Sequence, residues 1–237
     1  MNYIAITSDQ PRHREFINRI EKYTSLSHVI VVSKPEGNKE FCKSEDRFFS
    51  KHRKKVDAEI IQCTKHQLGS KRMQEMLKEM DPEVCFVFGA PLLKKDFYNI
   101  PRRGCVNIHT GLVQHHRGVD SPFWAIDEGR ADTIGATLHF IDCSIDGGKI
   151  IAQKNTTGLT IEDTPEDIFM RTCNTGFDIL EENIYNILYD SVTAYPLKER
   201  GKLYQTKDMN YDKMLEIRHK TPYLLKEYLN GNNSRSM

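Results

Sequence analysis

The stretch EVCFVFGAPLLKKDFYNIPRRGCVNIHT, residues 83–110, contains the two apolar runs that decide the fold. The first run, EVCFVFGA, is almost continuously apolar, which is typical of a strand buried on both faces of a sheet. The second run, RGCVNIHT, ends in the polar residues Asn107 and His109. Because open α/β sheets bind their ligands beyond the carboxyl ends of the strands, we expect both side chains at the active edge.

The residues before this stretch alternate between strand-like and helix-like patterns. Strand-like runs occur at YIAITS, HVIVVS and EIIQC, residues 3–8, 28–33 and 59–63. A helix is predicted after each run: the first has Asp9 as its cap and Pro11 in its first turn, and the others cover residues 40–57 and 70–81. Strands that alternate with helices predict an α/β fold with a doubly wound, mostly parallel sheet.

The pattern changes after residue 118. A short helix is predicted from Ser121 to Gly129, followed by two strands, TIGATLHFID and GGKIIAQKNT, which the loop CSIDGG joins. Thr164 and Asp167 then form a cap for a long helix. The apolar face of that helix comprises Phe169, Cys173, Phe177, Leu180, Ile184 and Leu188.

The last part of the chain is more polar. Past Tyr195 we predict one strand and one short helix, and the final residues LNGNNSRSM are expected to be frayed. We therefore divide the chain into a core at residues 1–190 and a short C-terminal extension at residues 191–237.

Composition narrows the class of protein. The 237 residues include 34 Lys and Arg against 33 Asp and Glu, so the net charge of +1 gives no general attraction to nucleic acid or an anionic membrane. No apolar run approaches the roughly 20 residues of a membrane span, and the N-terminal residues lack a signal-peptide pattern. The six cysteines are scattered singly, which favours reduced thiols over disulfides or a zinc site. We expect a cytoplasmic protein that binds no metal, nucleic acid or membrane.

Three polar residues form a candidate catalytic set. Residues i and i+2 of a strand point to the same side, so Asn107 and His109 converge as two hydrogen-bond donors do around a developing oxyanion. The loop CSIDGG adds the carboxylate of Asp146, followed by two glycines that let the backbone approach a ligand closely. Taken separately, an N-x-H is more often a capped turn, and an Asp before Gly-Gly is more often a turn residue.

Taken together, the motifs resemble a known family. Residues 105–126 and 134–153, CVNIHTGLVQHHRGVDSPFWAI and IGATLHFIDCSIDGGKIIAQ, closely resemble the catalytic core of the formyltransferases that use N10-formyltetrahydrofolate. That family includes glycinamide ribonucleotide formyltransferase, methionyl-tRNA formyltransferase and the nucleotide-sugar N-formyltransferases, and its sheet is Rossmann-like. The resemblance spans residues 1–190, and its N-x-H, R/K-G and D-x-G elements match Asn107 with His109, Arg117 with Gly118, and Asp146 with Gly148.

The resemblance implies a mechanism without a covalent nucleophile. An amine attacks the formyl carbon and builds a tetrahedral oxyanion, to which Asn107 donates a hydrogen bond. His109 stabilises the same oxygen or accepts the proton of the amine. Asp146 is expected to raise the pKa of His109 and to hold a bridging water.

The resemblance also implies where the formyl donor binds. In the family, backbone groups of the segment before the N-x-H strand and of the D-x-G loop hold the pterin of the folate. The matching residues here are Phe88, Gly89, Ala90 and Leu92, and Cys143, Ser144 and Ile145. The alternative is that both segments are ordinary turns at strand ends.

The acceptor is inferred from departures from the family pattern. Glycinamide ribonucleotide formyltransferase has a Gly-rich phosphate loop after its first strand, where this chain reads SDQPRHRE. Methionyl-tRNA formyltransferase has a C-terminal domain of about a hundred residues for tRNA, and formyltetrahydrofolate hydrolase usually begins with a regulatory domain. We therefore expect a nucleotide-linked amino sugar as acceptor, and a homodimer. The alternatives are the hydrolase, transfer to another small amine, and a non-catalytic folate- or nucleotide-binding protein.

Several residues are candidates for contacts with this acceptor. A basic cluster near the start of the first helix is placed to meet a diphosphate, although a solvated first turn explains it equally well. The residues that follow the N-x-H strand are candidates for the edge of the sugar pocket, and three residues of the extension are further candidates. These three groups are Arg12, His13 and Arg14; Thr110, Gly111 and Arg117; and Lys202, Tyr204 and Lys207.

Overall fold

A computed structural model describes residues 1–35, 37–49 and 56–233, and these form a seven-stranded sheet with helices on both faces. The strands are β1 Tyr3–Thr7, β2 His28–Val32, β3 Glu59–Cys63, β4 Val84–Phe88, β5 Cys105–His109, β6 His116–Gly118, β7 Gly135–Phe140, β8 Ile150–Asn155 and β9 Lys202–Tyr204. The large sheet has the order β3-β2-β1-β4-β5-β7-β8, in which the first five strands are parallel and β7 and β8 are antiparallel to their neighbours. The predicted doubly wound, mostly parallel sheet is thus confirmed.

The helices of the described residues cover the two faces of this sheet. They are α1 Pro11–Glu21, α2 Lys39–Phe48, α3 Lys65–Leu68, α4 Lys71–Met80, α5 Lys95–Tyr98, α6 Ser121–Asp127, α7 Pro165–Leu188 and α8 Tyr211–Asn233. Along β4, Phe86 packs with α1 and α7 on one face, whereas Cys85 and Val87 pack with α3, α4 and α5 on the other. Alternation along a strand sends successive side chains to opposite faces, so the continuous apolar run of β4 serves both layers.

The helix caps follow the sequence in one case and depart from it in another. Thr164 and Asp167 form a reciprocal capping box at the start of α7, as predicted. The prediction that Asp9 caps α1 is wrong: Gln10 occupies the cap position without a side-chain cap bond. The Asp9 carboxylate instead accepts a hydrogen bond from Arg14 Nε at 3.2 Å, because that charged donor lies within reach on the first turn.

The helix predicted over residues 40–57 is shorter than expected in its described part. Helix α2 ends at Phe48, and Phe49 is extended because its side chain is buried against Phe177 of α7. Residues 50–55 lie outside the described residues, and residues 56 and 57 are irregular.

The short helix predicted in the extension is instead α8, a helix of 23 residues. Ile217 and Leu225 of α8 are fully buried in a cluster that includes Phe123 and Ile126 of α6. Packing against α6 therefore stabilises a helix whose sequence periodicity is weak. The expected fraying from residue 229 is wrong as far as Asn233, and residues 234–237 lie outside the described part. No helix in the described ranges is long and apolar enough to cross a membrane.

Strand β9 brings the extension to the edge of the core. It pairs in parallel with β6, which follows the N-x-H strand β5, and the two form a separate small sheet. The extension thereby contributes to the cleft described next.

Candidate active site

A cleft of about 320 Å³ opens beyond the ends of β4 and β5. Its walls come from the segment after β4, from the loop after β7 and from the residues around β9. The lining residues are Val87, Ala90, Pro91, Leu92, Leu93, Asn107, Gly118, Val119, His139, Ile141, Asp142, Ser144, Ile145, Asp146, Leu203, Tyr204, Gln205 and Thr206. Polar groups are concentrated where β5 and β7 meet.

Four side chains form what we call the polar cluster: Asn107, His109, His139 and Asp146. His109 Nδ1 lies 3.4 Å from Asp146 Oδ2, and His139 Nε2 lies 3.6 Å from Asp146 Oδ1. Asn107 Nδ2 lies 3.1 Å from His139 Nε2. The structure thus brings together all three residues of the predicted catalytic set and adds His139.

His139 was missed by sequence reasoning because its role depends on strand register. In the antiparallel pairing of β5 with β7, Asn107 lies directly opposite His139. The sequence signal is a polar residue within the apolar strand GATLHF, but only the pairing shows which residue it faces. Cross-strand neighbours are close enough for direct side-chain contact.

The hydrogen bonds of His139 determine the orientation of the Asn107 amide. His139 Nδ1 lies 2.9 Å from the carbonyl of Phe140, which can only accept, so Nδ1 carries the hydrogen of the neutral ring. The other ring nitrogen, Nε2, then accepts a hydrogen bond from the Asn107 amide. Since that amide has a second N–H, Asn107 keeps a donor for a ligand in the cleft.

His109 is buried behind Asp146, with 5% of its surface exposed. Its Nε2 lies 3.0 Å from the carbonyl of His116 and 3.1 Å from Ser121 Oγ. Because the His116 carbonyl can only accept, Nε2 donates to it, and in the neutral ring Nδ1 is an unprotonated base that faces Asp146.

Burial sets the charge states of this pair. Desolvation lowers the pKa of His109 below its ordinary value, and the attraction of Asp146 offsets only part of that effect. Asp146 does raise the pKa of His109, as expected, but the net pKa is still lowered because the ring is almost wholly removed from water. Burial alone raises the pKa of Asp146, but His109, His139 and the Gly118 N–H, which lies 2.7 Å from Oδ2, hold the net pKa well below its usual range.

The D-x-G loop is held in an uncommon backbone conformation. Asp146 has φ 49°, in the left-handed region that non-glycine residues seldom adopt. At Gly148 a Cβ would lie 1.8 Å from the carbonyl oxygen of Phe140, so the loop reaches the end of β7 only with glycine at this position.

The predicted folate-binding residues fall into two groups. Ala90 and Leu92 line one wall of the cleft, and Ser144 and Ile145 line another. Phe88, Gly89 and Cys143 do not line it. The Phe88 side chain is buried in the core, Gly89 adopts φ 62° with its backbone packed on His13, and Cys143 is exposed.

The basic cluster at the start of α1 does not converge on one point. Arg12 Nη1 pairs with buried Glu45 at 2.6 Å. His13 is buried and its Nδ1 contacts Thr7 Oγ1 at 2.7 Å, while Arg14 pairs with Asp9. Of the three, only Arg12 lines a second pocket of about 300 Å³, in which Lys34 is the neighbouring cation.

The candidates that follow β5 lie next to the polar cluster without lining the cleft. Thr110 is half-buried. A Cβ on Gly111 would lie 2.5 Å from His109 Nε2, so this glycine leaves room for the ring. Arg117 donates from Nε to the carbonyl of Gly201 and from Nη1 to the carbonyl of Ile145, and so joins the extension to the D-x-G loop.

Tyr204 is the candidate of the extension that lies deepest. Its ring stacks on Trp124 with centroids 4.1 Å apart, and its hydroxyl donates to Glu128. Lys202 places its amine 4.5 Å from the centre of the Tyr204 ring. Lys207 is exposed on the short helix Thr206–Asp208.

The described residues contain no cluster suited to a metal ion, and two of the cysteines are too deeply buried to form thiolates. No group of His, Cys, Asp and Glu side chains within those ranges has the geometry to hold a metal ion. Burial raises the pKa of Cys173 to about 12 and that of Cys85 well above its ordinary value, so both remain protonated thiols.

The structure is that of an open α/β protein with a polar cluster in a cleft at the carboxyl ends of its strands, and the similarity of its sequence to known families identifies the family. A model of the formyl transferase family matches residues 1–184, and the chain therefore belongs to that family. Two similar relatives are methionyl-tRNA formyltransferases. The protein from Myxococcus xanthus is 29% identical over 143 residues, 60% of this chain and 45% of its own. The protein from Thermodesulfovibrio yellowstonii is 26% identical over 192 residues, 78% of this chain and 58% of its own. The chain thus spans about half the length of these curated relatives.

Solved structures with the same fold come from several branches of the family. A sugar N-formyltransferase from Shewanella sp. FDAARGOS_354 has a TM-score of 0.66 at 18% identity and covers 92% of this chain and 88% of its own. An N-formyltransferase from Helicobacter canadensis, solved with folinic acid and dTDP-3-aminofucose, has a TM-score of 0.62 at 17% identity, with coverages of 96% and 82%. A phosphoribosylglycinamide formyltransferase from Anaplasma phagocytophilum has a TM-score of 0.59 at 18% identity, with coverages of 86% and 96%. At these identities the likeness shows the fold alone.

Proposed function

We propose that this protein transfers a formyl group from N10-formyltetrahydrofolate to the amino group of a nucleotide-linked amino sugar. The observation that carries the proposal is the polar cluster, in which a free amide donor, a buried neutral imidazole and an ionised carboxylate meet at the edge of a cleft. These are the groups that acyl transfer to an amine requires: an oxyanion donor, a base and a group that stabilises the charged base.

The proposed reaction proceeds through one tetrahedral intermediate. The acceptor amine forms a bond to the formyl carbon, and the second N–H of Asn107 donates to the resulting oxyanion. The amine proton passes through a water held by Asp146 to Nδ1 of the buried His109, and the carboxylate of Asp146 stabilises the imidazolium. The same proton then moves to N10 as the C–N10 bond breaks, and tetrahydrofolate and the formamide are released.

The cleft between the segment after β4 and the D-x-G loop is the proposed folate site. Ala90, Leu92 and Ile145 offer apolar surface to a flat ring, and the neighbouring backbone offers hydrogen-bonding groups at its edge. The Helicobacter canadensis neighbour, solved with folinic acid, supports a folate ligand for this fold. No metal takes part in the proposed chemistry.

The sugar acceptor is supported by the extent of the structural match. The Shewanella and Helicobacter neighbours match more than 90% of this chain, a range that includes most of the extension. Arg12 is the proposed contact for the diphosphate, since His13 is buried and Arg14 does not line the same pocket.

We also propose that the protein is a cytoplasmic homodimer. Light scattering of the purified protein measures its oligomeric state and so tests the dimer.

Methionyl-tRNA is the second candidate acceptor, because the two sequence relatives described above are named methionyl-tRNA formyltransferases.

The test is a panel in which the purified protein receives N10-formyltetrahydrofolate with UDP-, dTDP-, GDP- or CMP-linked amino sugars, with methionyl-tRNA, with other small amines, or with water alone. Release of tetrahydrofolate that depends on one nucleotide-sugar, with a formamide product in the mass spectrum, supports the proposal. Release of tetrahydrofolate only with methionyl-tRNA, or only with water, overturns the assignment of a sugar acceptor. No release of tetrahydrofolate under any of these conditions overturns the proposed formyltransferase activity.

A further inference from the structure

Strand β6 supplies the backbone groups that hold two members of the polar cluster. The carbonyl of His116 accepts from His109 Nε2 at 3.0 Å, and the N–H of Gly118 donates to Asp146 Oδ2 at 2.7 Å. The two groups lie two residues apart on one strand, so a shift of β6 displaces both hydrogen bonds at once.

The opposite side of the same strand is paired with the C-terminal extension. The carbonyl of His115 accepts from the N–H of Lys202 at 3.0 Å, and the N–H of Val119 donates to the carbonyl of Tyr204 at 3.2 Å. The backbone groups of the odd-numbered residues His115 and Val119 therefore point toward β9. The backbone groups of the even-numbered residues His116 and Gly118 point toward the polar cluster. Among the described strands, β9 is the only one that pairs with β6.

Buried side chains on one face of the small sheet also connect its two strands. Glu128 accepts from the Tyr204 hydroxyl through Oε1, and its Oε2 lies 2.9 Å from Nε2 of buried His116. The Tyr204 ring is almost parallel to that of Trp124, at 7° and 4.1 Å. A two-stranded sheet is only marginally stable by itself, so these contacts stabilise β9 against β6, together with the hydrogen bond from Arg117 Nε to the Gly201 carbonyl.

The backbones of the two strands approach so closely that glycine is required. A Cβ on Gly118, which has φ 92°, would lie 2.0 Å from the carbonyl oxygen of Tyr204. A Cβ on Gly201 would lie 2.3 Å from the carbonyl carbon of His115. The position of β6 is thus determined by steric contact with β9 as well as by hydrogen bonds.

We propose that strand β9 of the C-terminal extension is a positioning element of the catalytic centre, and that Tyr204 is the positioning residue that secures it. The inference rests on the proposed function. By holding the His116 carbonyl against His109 Nε2, β9 keeps the ring in the tautomer whose Nδ1 is free to accept the proton. By holding the Gly118 N–H, it keeps the Asp146 carboxylate turned toward that nitrogen.

The test removes one hydroxyl and reads the state of His109 directly. Tyr204→Phe keeps the ring on Trp124 but no longer donates to Glu128. The matched control is Tyr211→Phe, which removes a hydroxyl from a tyrosine that is 77% exposed on the same extension. In each protein, ¹⁵N NMR of labelled histidine follows the tautomer and the titration of His109, and kinetics measures kcat and the KM for the formyl donor.

In Tyr204→Phe we expect the Nε2–H tautomer of His109 to lose population and its pKa to fall. The pKa falls because the His116 carbonyl raises it in the native protein, and because loss of the Gly118 N–H also turns the Asp146 carboxylate, whose attraction raises the same pKa, away from the ring. The other charged groups around the ring are His139 and Arg117. A fall in kcat of roughly tenfold is expected, below the 10²-fold cost of a 1 Å misplacement, with a nearly constant KM for the formyl donor. Since His109 accepts the proton as a neutral ring, the acidic limb of the kcat profile moves to lower pH.

A His109 tautomer, titration and kcat equal to those of Tyr211→Phe would overturn the positioning role of β9. If Tyr204→Phe fails to fold, the same NMR measurement on Glu128→Gln tests the positioning role of β9. This variant removes the charge that joins Tyr204 to His116. The NMR result does not depend on turnover, so a protein that lacks formyltransferase activity still reports whether β9 positions His109.

Discussion

At the residue scale, the amide of Asn107 is useful only in one orientation. An asparagine side chain can present either its oxygen or its NH₂ to a neighbour. His139 decides between them, because its Nδ1 hydrogen is committed to the Phe140 carbonyl and its Nε2 can only accept. The donor that Asn107 offers to the cleft therefore depends on a residue that does not have to touch the reacting atoms.

This dependence predicts a graded series of variants. Asn107→Ala removes the oxyanion donor and Asp146→Asn removes the charge that stabilises the imidazolium, and each should lower kcat by at least about 10²-fold. His139→Ala should lower kcat less, by roughly tenfold, because the amide remains but rotates freely. Steady-state kinetics with circular dichroism as a check on folding measures this, and His66→Ala, at an exposed histidine on α3, is the matched control. Near-normal turnover in Asn107→Ala would rule out the oxyanion role.

At the scale of elements, α8 shows how packing decides the length of a helix. One face of α8 buries Ile217 and Leu225 against α6, while Leu215 and Tyr223 remain exposed. The buried face packs α8 onto the core.

The same substitution on the two faces of α8 should therefore have different effects. Leu225→Ala leaves a cavity in the cluster with α6, and we expect it to lower the free energy of unfolding by about 2–5 kcal/mol. Leu215→Ala, at a leucine that is 46% exposed, should change it by less than about 1 kcal/mol. Urea denaturation of both variants measures the difference. Equal losses would show that α8 does not pack on the core as described.

At the scale of the whole molecule, three histidines at different places have pKa values that folding lowers. Burial is the largest cause at His13, His109 and His115. The unfolded chain binds more protons than the folded chain once the pH falls below the ordinary histidine value of about 6.5. Stability then rises with pH across this window, because the state that binds more protons gains at low pH.

We therefore expect the buried histidines to make their whole contribution to the free energy of unfolding at pH 7.5. The free energy of unfolding should then fall as the pH is lowered through about 6.5 to 5.5. The stabilisation by carboxylates with depressed pKa values, such as Asp146, is fully present across this range and is lost only at lower pH, below the ordinary carboxyl value of about 4. Urea midpoints across this range measure the slope, which His13→Gln should reduce and His66→Gln should leave unchanged. Identical midpoints at pH 5.5 and 7.5 would contradict the buried neutral state of these histidines.

The sequence by itself was enough for the class of fold. The apolar runs of β1, β2 and β4 and the cap of α7 are local patterns, which can be recognised without knowledge of the tertiary contacts. Asn107, His109 and Asp146 could be predicted as one set, which the structure brings together, because strand alternation and the D-x-G loop are also local. The resemblance to the formyltransferases added the chemistry, and the family match bears out that resemblance.

What only the tertiary structure decided depends on contacts between residues far apart in the chain. His139 enters the site through the register of β5 with β7, and β9 reaches the site through pairing with β6. Arg12, His13 and Arg14 are neighbours in sequence, yet they pair with Glu45, Thr7 and Asp9 respectively, and Arg12 lines a different pocket from the other two. Propensity and spacing act over a few residues, whereas register, charge pairing and burial are set by whichever distant segment packs alongside, and that is why these features do not follow from sequence patterns alone.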